Sequence, residues 1–392
     1  MTALAPTGTR FRAADCRLAD LVPLVERVPD LADYPHAAQV LDRVLIYDAS
    51  TLRAATAREP GRDAVAAELV RALGDGPGVV VFRGAFSEPA VVDRVSAAFD
   101  AIIAAERAAG SARSDHFAAA GANDRVWNAL EKLAVRDPEA FVDYYGNDVL
   151  ALVSNAWLGP SYQMTSQVNV VRPGGVAQDP HRDYHLGFLS DEVAASYPTH
   201  VHLLSPVLTL QGAVAHTDMP VESGPTMYLP YSHQYPPGSL AWRRPEFRDF
   251  FLDRYVQLPL AKGDAAFFNP ALFHGAGSNV SADVQRMANL LQVSSAFGRA
   301  METVDRIRTA KSIYPVLRAR KLAGTDPASL ANALVCAADG YPFPTNLDRD
   351  PNVDGLTPLS ELELLHRALA EDWAADRVAA ELDAYADRRR SA

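Results

Sequence analysis

The chain has 392 residues, of which 48% are hydrophobic and 22% charged, with a formal net charge of −11. No run approaches the roughly 18 uninterrupted apolar residues a bilayer crossing needs, and the acidic balance repels polyphosphate, so neither membrane nor nucleic acid is the expected partner. Two cysteines, Cys16 and Cys336, lie far apart in a chain large enough to need no staple and are expected as unpaired thiols. The opening residues lack a basic stretch followed by an apolar one, so the cytoplasm is the expected compartment.

In chain order, the first seventy or so residues mix a short apolar run, "RVLIYDAS", with alanine-rich stretches such as "RDAVAAELVRALG", whose apolar spacing of three and four predicts helix. This region, 1–74, is read as an N-terminal helical extension. "GDGPGVVVFRGAF" is a glycine-proline turn into a β-branched strand, succeeded by a long helical period that starts at "SEPAVV" with Ser87 as N-cap. The glycines precede the strand, whereas a dinucleotide-binding turn needs them between strand and helix, so that reading is rejected. From about residue 163 to 295, short β-prone runs such as "YQMTSQVNVVR", "VLTLQGAVAH", "PTMYLP", "DAAFFNP" and "MANLLQVSS" alternate with turn chemistry and predict a sandwich or barrel. After residue 300 helices return, one of them opening with Thr357 as N-cap and Pro358 at its first position. The organisation is thus a β core at 75–299, with its preceding helices, between helical extensions at 1–74 and 300–392.

The chemistry concentrates in "HRDYH", residues 181–185. A kinase catalytic loop needs an asparagine five residues after the aspartate; here that position is Phe188, and neither a DFG triplet nor a glycine-rich phosphate loop exists. A metal site fits better. On a strand, His181 and Asp183 share a face, and His274, in "NPALFHGAG", is the candidate third ligand from another strand. Two imidazoles and one carboxylate form the facial set that suits Fe(II) and leaves positions open. Arg286 begins the apolar run "RMANLLQVSS", where a guanidinium is costly unless it meets an anion, and its fork matches a carboxylate. His185 shares strand parity with His181 and Asp183, so a zinc site of the form His-x-Asp-x-His is the alternative; it leaves Arg286 without a purpose. His216 and Asp218 repeat the H-x-D spacing without a distal His and Arg after them, and are read as pocket edge or turn residues.

Three segments, "HRD", "VESGPTMYLPYSH" and "GDAAFFNPALFHGAGSNVSADVQR", resemble the phytanoyl-CoA dioxygenase family of Fe(II)/2-oxoglutarate oxygenases. "TSQVNVVRPGGVAQDPHRDYH" is also similar to its ectoine hydroxylase branch. The resemblance covers about residues 75–295. It implies a double-stranded β-helix, the cupin-like jelly roll, with helices at both ends, and a small-molecule oxygenase using Fe(II), 2-oxoglutarate and O2. Residue by residue, His181, Asp183 and His274 match the iron ligands, Arg286 matches the arginine for the distal 2-oxoglutarate carboxylate, and Asn169 matches an asparagine that helps hold the cosubstrate. Thr165, on the same strand face as Asn169, is a further cosubstrate candidate, and Tyr184, His185 and Phe188 are candidates for the substrate wall. The family's usual Pro-Gly-Ser-His is replaced here by Pro230-Tyr231-Ser232-His233. Iron halogenases of this type lack the carboxylate ligand, so the retained Asp183 favours hydroxylation, while desaturation, cyclisation and epimerisation use the same ligands. A non-catalytic barrel serving as a binding or scaffold protein is the competing class, and a monomer or homodimer is the expected state.

Overall fold

The structure, a computed structural model, describes residues 8–110, 123–352 and 355–391. The chain forms two compact units. The first comprises Met1–Ser87, Arg113–Arg125 and Val168–Leu290, and the second Glu88–Ala112, Val126–Gln167 and Leu291–Ala392. Among the described residues no helix is long and apolar enough to cross a membrane.

The strands are β1 (Gln39–Leu41), β2 (Val44–Asp48), β3 (Val79–Arg83), β4 (Asn123–Val126), β5 (Gln163–Val171), β6 (Thr209–Ala215), β7 (Thr226–Leu229), β8 (Ala265–Phe268), β9 (Phe273–Ala276) and β10 (Arg286–Ser294). Eight of them make one mixed sheet in the order β1-β2-β3-β8-β6-β10-β5-β4. β2 and β3 run parallel, whereas β1/β2, β3/β8 and β6/β8 are antiparallel. Along the chain β5 starts in the second unit and ends in the first, and β10 starts in the first and ends in the second. The apolar run "RVLIYDAS", which the sequence sets among the alanine-rich helical stretches, thus supplies β2. Its residues are β-branched or aromatic at most positions, and the pairing partner that makes them a strand, β3, lies beyond the helix Glu59–Gly74.

Alternation along these strands sorts side chains onto two faces. Across β3, β8 and β6 one row aligns Val79, Phe268 and Gln211, and the next aligns Val81, Ala266 and Ala213. Val79, Val81, Ala266 and Phe268 pack in one buried cluster with Val44, Ile46, Tyr228, Leu258, Leu260, Leu272 and Ala288. The other face carries Tyr47, Phe82 and Phe267, with ring centroids 5.6 Å and 6.1 Å apart in succession. A second layer is built on β7 and β9, which pair antiparallel with Tyr228 opposite His274. Single bridges extend it on both sides, His181 to His274 and Tyr228 to Val256. Tyr228 lies in the inner cluster, while its neighbours Met227 and Leu229 join Phe273 in a separate core with Leu21, Val25, Leu240, Phe247 and Phe251 from surrounding helices. Two layers with a shared apolar interior are the jelly roll that the family resemblance implied.

The Pro230–His233 turn locks the layers' rim. Tyr231 has φ 69°, the left-handed region that glycine occupies without strain, which is why a glycine is at home at this position. Burial of the Tyr231 ring under Arg27, 4.5 Å from its centroid, offsets that strain here. His233 Nε2 donates to the Gly74 carbonyl at 2.9 Å, and a Cβ added to Gly78 (φ 78°) would meet the His233 ring at 2.4 Å. The glycine before β3 is therefore a close-approach residue.

The second unit is helical: Pro89–Ala108, Ala129–Arg136, Pro138–Tyr145, Asp148–Leu158, Arg306–Leu322, Pro327–Ala337, Glu361–Ala370 and Ala375–Arg388. Two start signals are corrected. Glu88, not Ser87, is the N-cap of Pro89–Ala108, because Pro89 fills the first turn and needs no donor there. Ser360, not Thr357, caps Glu361–Ala370, in a capping box where Ser360 Oγ accepts from the Glu363 amide at 3.2 Å and the Glu363 carboxylate accepts from the Ser360 amide at 2.7 Å. Tyr314 anchors this bundle by donating to the Ala368 and Trp373 carbonyls at 3.1 Å and 2.9 Å. Cys16 and Cys336 are both buried free thiols, and burial pushes them up to about 11 and about 12.

Candidate metal centre

His181 and His274 face each other across an antiparallel bridge, His181 N donating to the His274 carbonyl at 2.9 Å and His274 N to the His181 carbonyl at 3.2 Å. Their rings stand 4.5 Å apart. Each Nδ1 lies 2.8 Å from a backbone carbonyl two residues earlier, Asp179 for His181 and Leu272 for His274. A carbonyl accepts and never donates, so both Nδ1 atoms carry the proton and both Nε2 atoms present a lone pair. Those Nε2 atoms lie 3.6 Å from Asp183 Oδ1 and 3.5 Å from Asp183 Oδ2 respectively. The three ligand atoms fall within 4.8 Å of one another, among the described residues a group of His181, Asp183 and His274. Burial pushes the Asp183 carboxyl up, but the charged form of His181 and of His274 and the Gln211 amide outweigh it and hold it below the ordinary carboxylate range; a metal ion on the two Nε2 atoms would supply that positive charge in place of the protons. An ionised carboxylate with two neutral imidazoles is the donor set of a non-haem Fe(II) site.

The expected strand through "HRDYH" is corrected. The chain leaves the ladder after His181: the Asp183 amide donates to the Pro270 carbonyl at 3.1 Å, Tyr184 and His185 have φ of 61° and 39°, and His185–Phe188 is a 3-10 turn. His185 consequently loses the shared parity. Its Nδ1 pairs with Ser205 Oγ at 2.7 Å, and it stands outside the ligand group, which removes the local three-ligand zinc arrangement. Tyr184 is buried with its ring 6.0 Å from that of His185, whereas Phe188 is 51% exposed and therefore not core. Arg182 points away from the ligands. Its Nη2 donates to the Ser232 and Tyr235 carbonyls at 2.8 Å and 2.9 Å, and burial pulls it down to about 9.

Arg286 opens β10 as predicted and shares a face with Ala288 and Leu290, both packed in the interior cluster. Burial pulls its guanidinium down to about 10, opposed by Tyr228, and its Nη1 is buried without a partner among the described residues. Asn169 on β5 is buried with Oδ1 likewise unpartnered among the described residues. Thr165 belongs to the second unit, where its hydroxyl donates to the Gln292 carbonyl at 3.0 Å. His216 and Asp218 build a turn: the His216 amide donates to the Met287 carbonyl at 2.9 Å and Asp218 accepts from the Lys262 amide at 2.8 Å.

Three residues escaped the sequence reading. Gln211 donates its amide to Asp183 Oδ2. Tyr228, opposite His274 in the β7/β9 ladder, is pushed up to about 12 by burial and is electrostatically coupled to Arg286. Phe268 walls the site, its ring 4.7 Å from His274 and 5.2 Å from Tyr228. The one available signal was a lone polar residue in the apolar run "TLQGAVA".

A sequence model of the phytanoyl-CoA dioxygenase (PhyH) family matches residues 75–288. No curated protein gives a significant match. Solved structures similar to this chain include the non-heme alpha ketoglutarate dependent epimerase SnoN from nogalamycin biosynthesis, at 20% identity and a TM-score of 0.41 over 61% of this chain and 84% of that one. The alpha ketoglutarate dependent carbocyclase SnoK from the same biosynthesis is 22% identical, with a TM-score of 0.41 over 60% and 86%. AviO1 from Streptomyces viridochromogenes Tue57 is 19% identical, with a TM-score of 0.43 over 60% and 96%.

Proposed function

The chain belongs to the phytanoyl-CoA dioxygenase family, which makes it a non-haem enzyme using Fe(II), 2-oxoglutarate and O2, and from that premise we propose that it hydroxylates an unactivated carbon of a small molecule, a specialised metabolite or amino-acid-like compound. The observation that carries the reading is the convergence of His181, Asp183 and His274 with both imidazoles locked in the ligating tautomer. Iron bound there, with 2-oxoglutarate and O2, supplies an oxidant strong enough to take hydrogen from a C–H bond as 2-oxoglutarate leaves as succinate and CO2.

The chain's own residues position and exclude. His181 and His274 hold their Nδ1 protons on fixed carbonyls, so neither ring turns when the ligand set is assembled. Asp183 occupies the place a halide would need, which supports hydroxylation over halogenation. The unpartnered Nη1 of Arg286 supports its role as acceptor of the remote 2-oxoglutarate carboxylate, since a buried guanidinium without an anion is costly. Asn169, and by the same strand parity Thr165, are assigned to the cosubstrate. Tyr184, His185 and Phe188 are assigned to the substrate side, with the His185 to Ser205 bond fixing the turn after Asp183. Phe268 and Tyr228 keep water from the ligands.

Anaerobic titration with Fe(II) and 2-oxoglutarate should produce a visible charge-transfer absorption, and O2 with a substrate panel should then give succinate and a product heavier by one oxygen. A desaturated, cyclised or epimerised product would replace hydroxylation by that reaction, and the absence of both absorption and 2-oxoglutarate binding would leave a scaffold. The proposal places the protein in the cytoplasm as a monomer or homodimer; cell fractionation and light scattering read these two points.

A further inference from the structure

We infer that Gln211 is a positioning residue for Asp183, which restricts that carboxylate to one free oxygen toward a bound metal ion. The inference rests on the metal-centre reading above and adds to it a residue that no ligand motif contains. Gln211 lies on β6 in register with Phe268 of β8 and is buried, 5% exposed. The equivalent inner positions further along β6 are Ala213 and Ala215, so packing alone asks for a small apolar side chain here. A carboxylate accepts and does not donate, which fixes the amide orientation: Nε2 faces Asp183 Oδ2, and Oε1 points away, buried and without a donor among the described residues. A buried amide left half satisfied is unfavourable, and the bond to Asp183 is what the chain obtains from it.

That bond divides the two carboxylate oxygens. Oδ2 accepts from the amide and stands 3.5 Å from His274 Nε2, while Oδ1 faces His181 Nε2 at 3.6 Å and receives no amide or hydroxyl donor among the described residues. The Asp183 main chain is pinned to Pro270, so the carboxylate's rotation is the freedom that remains, and Gln211 removes it. With the amide drawing on Oδ2, Oδ1 is the oxygen left free of a hydrogen-bond donor to ligate, and the ligand set stays at three donor atoms.

Cobalt(II) titration, followed by calorimetry and visible absorption, tests this on the full chain without turnover. Gln211→Met keeps the side-chain volume and removes the donor; its Co(II) affinity should fall by about 10- to 100-fold, and its saturated spectrum should shift toward higher coordination as both Asp183 oxygens engage. Gln211→Asn, whose amide is retracted by one methylene, gives an independent measure if the methionine variant does not fold, and should lose affinity in the same direction. Wild-type binding with unchanged affinity and an unchanged spectrum in whichever variant folds overturns the role of Gln211 and leaves the metal centre intact. A wild-type chain that takes up no Co(II) and no Fe(II) takes down the metal-centre reading, and this inference with it.

Discussion

His181 and His274 are oriented by backbone carbonyls and Asp183 by a side-chain amide, so the ligand set is held by the fold and does not itself hold the fold. His181→Ala and Asp183→Ala should therefore abolish iron retention and turnover while the melting temperature of the metal-free protein stays within a few degrees of wild type; a collapse of the fold would show that these residues are structural. Arg286 is the opposite case. Its buried Nη1, partnerless among the described residues, is unfavourable without a ligand, so Arg286→Met should leave the metal-free protein as stable as wild type or more stable, while 2-oxoglutarate binding weakens by about 2–5 kcal/mol. Calorimetry with 2-oxoglutarate and thermal unfolding measure the two halves separately, and unchanged cosubstrate affinity would remove Arg286 from the site.

At the scale of elements, the turn at Pro230–His233 ties the end of β7 to the approach of β3. Burial of the His233 ring pushes its pKa down to about 3, the Gly74 carbonyl opposing and the Arg182 and Arg27 guanidiniums reinforcing. The fold therefore holds this imidazole neutral, while in the unfolded chain it titrates near 6.5. The stability it contributes is complete above about pH 6.5 and is lost progressively as pH falls toward 3, with a slope that amounts to about 2 kcal/mol by pH 5. Urea unfolding between pH 7.5 and pH 5 should show this loss, and His233→Asn should flatten it; an identical slope in the variant would assign the acid sensitivity elsewhere. The same turn explains a departure in the sequence. Tyr231 accepts left-handed backbone strain of about 1–2 kcal/mol, which burial of a large ring outweighs.

For the whole molecule, the three candidate metal ligands lie in the first unit, His181, Asp183 and His274 together with Arg286 and Asn169 between Val168 and Leu290, while Thr165 belongs to the second. Fe(II) at about 100 times its dissociation constant should stabilise the protein by about 2.7 kcal/mol, and chelation should reverse it. Hydrogen exchange under anaerobic conditions should locate the added protection in β6 to β9; protection confined to the helices of the second unit would contradict the site. Much of this was legible in one dimension. The H-x-D pair, the distal histidine and an arginine opening an apolar strand name their chemistry by residue type and spacing, and β-prone runs such as "DAAFFNP" and "MANLLQVSS", bounded by turn chemistry, mark strands. The turn at Tyr184 and His185 was not legible, because the positive φ of both residues is imposed by the Pro270 and Ser205 contacts and leaves no mark in composition. Nor was the N-terminal share of the sheet, since β2 joins it by pairing with β3 across two intervening helices, Ala49–Thr56 and Glu59–Gly74. The sequence by itself determined which atoms can bind the metal. Tertiary structure alone decided how they are aimed: the amide of Gln211 and the two carbonyls behind the histidines come from segments remote from, or unremarkable beside, the ligands, and long-range packing carries no local signature.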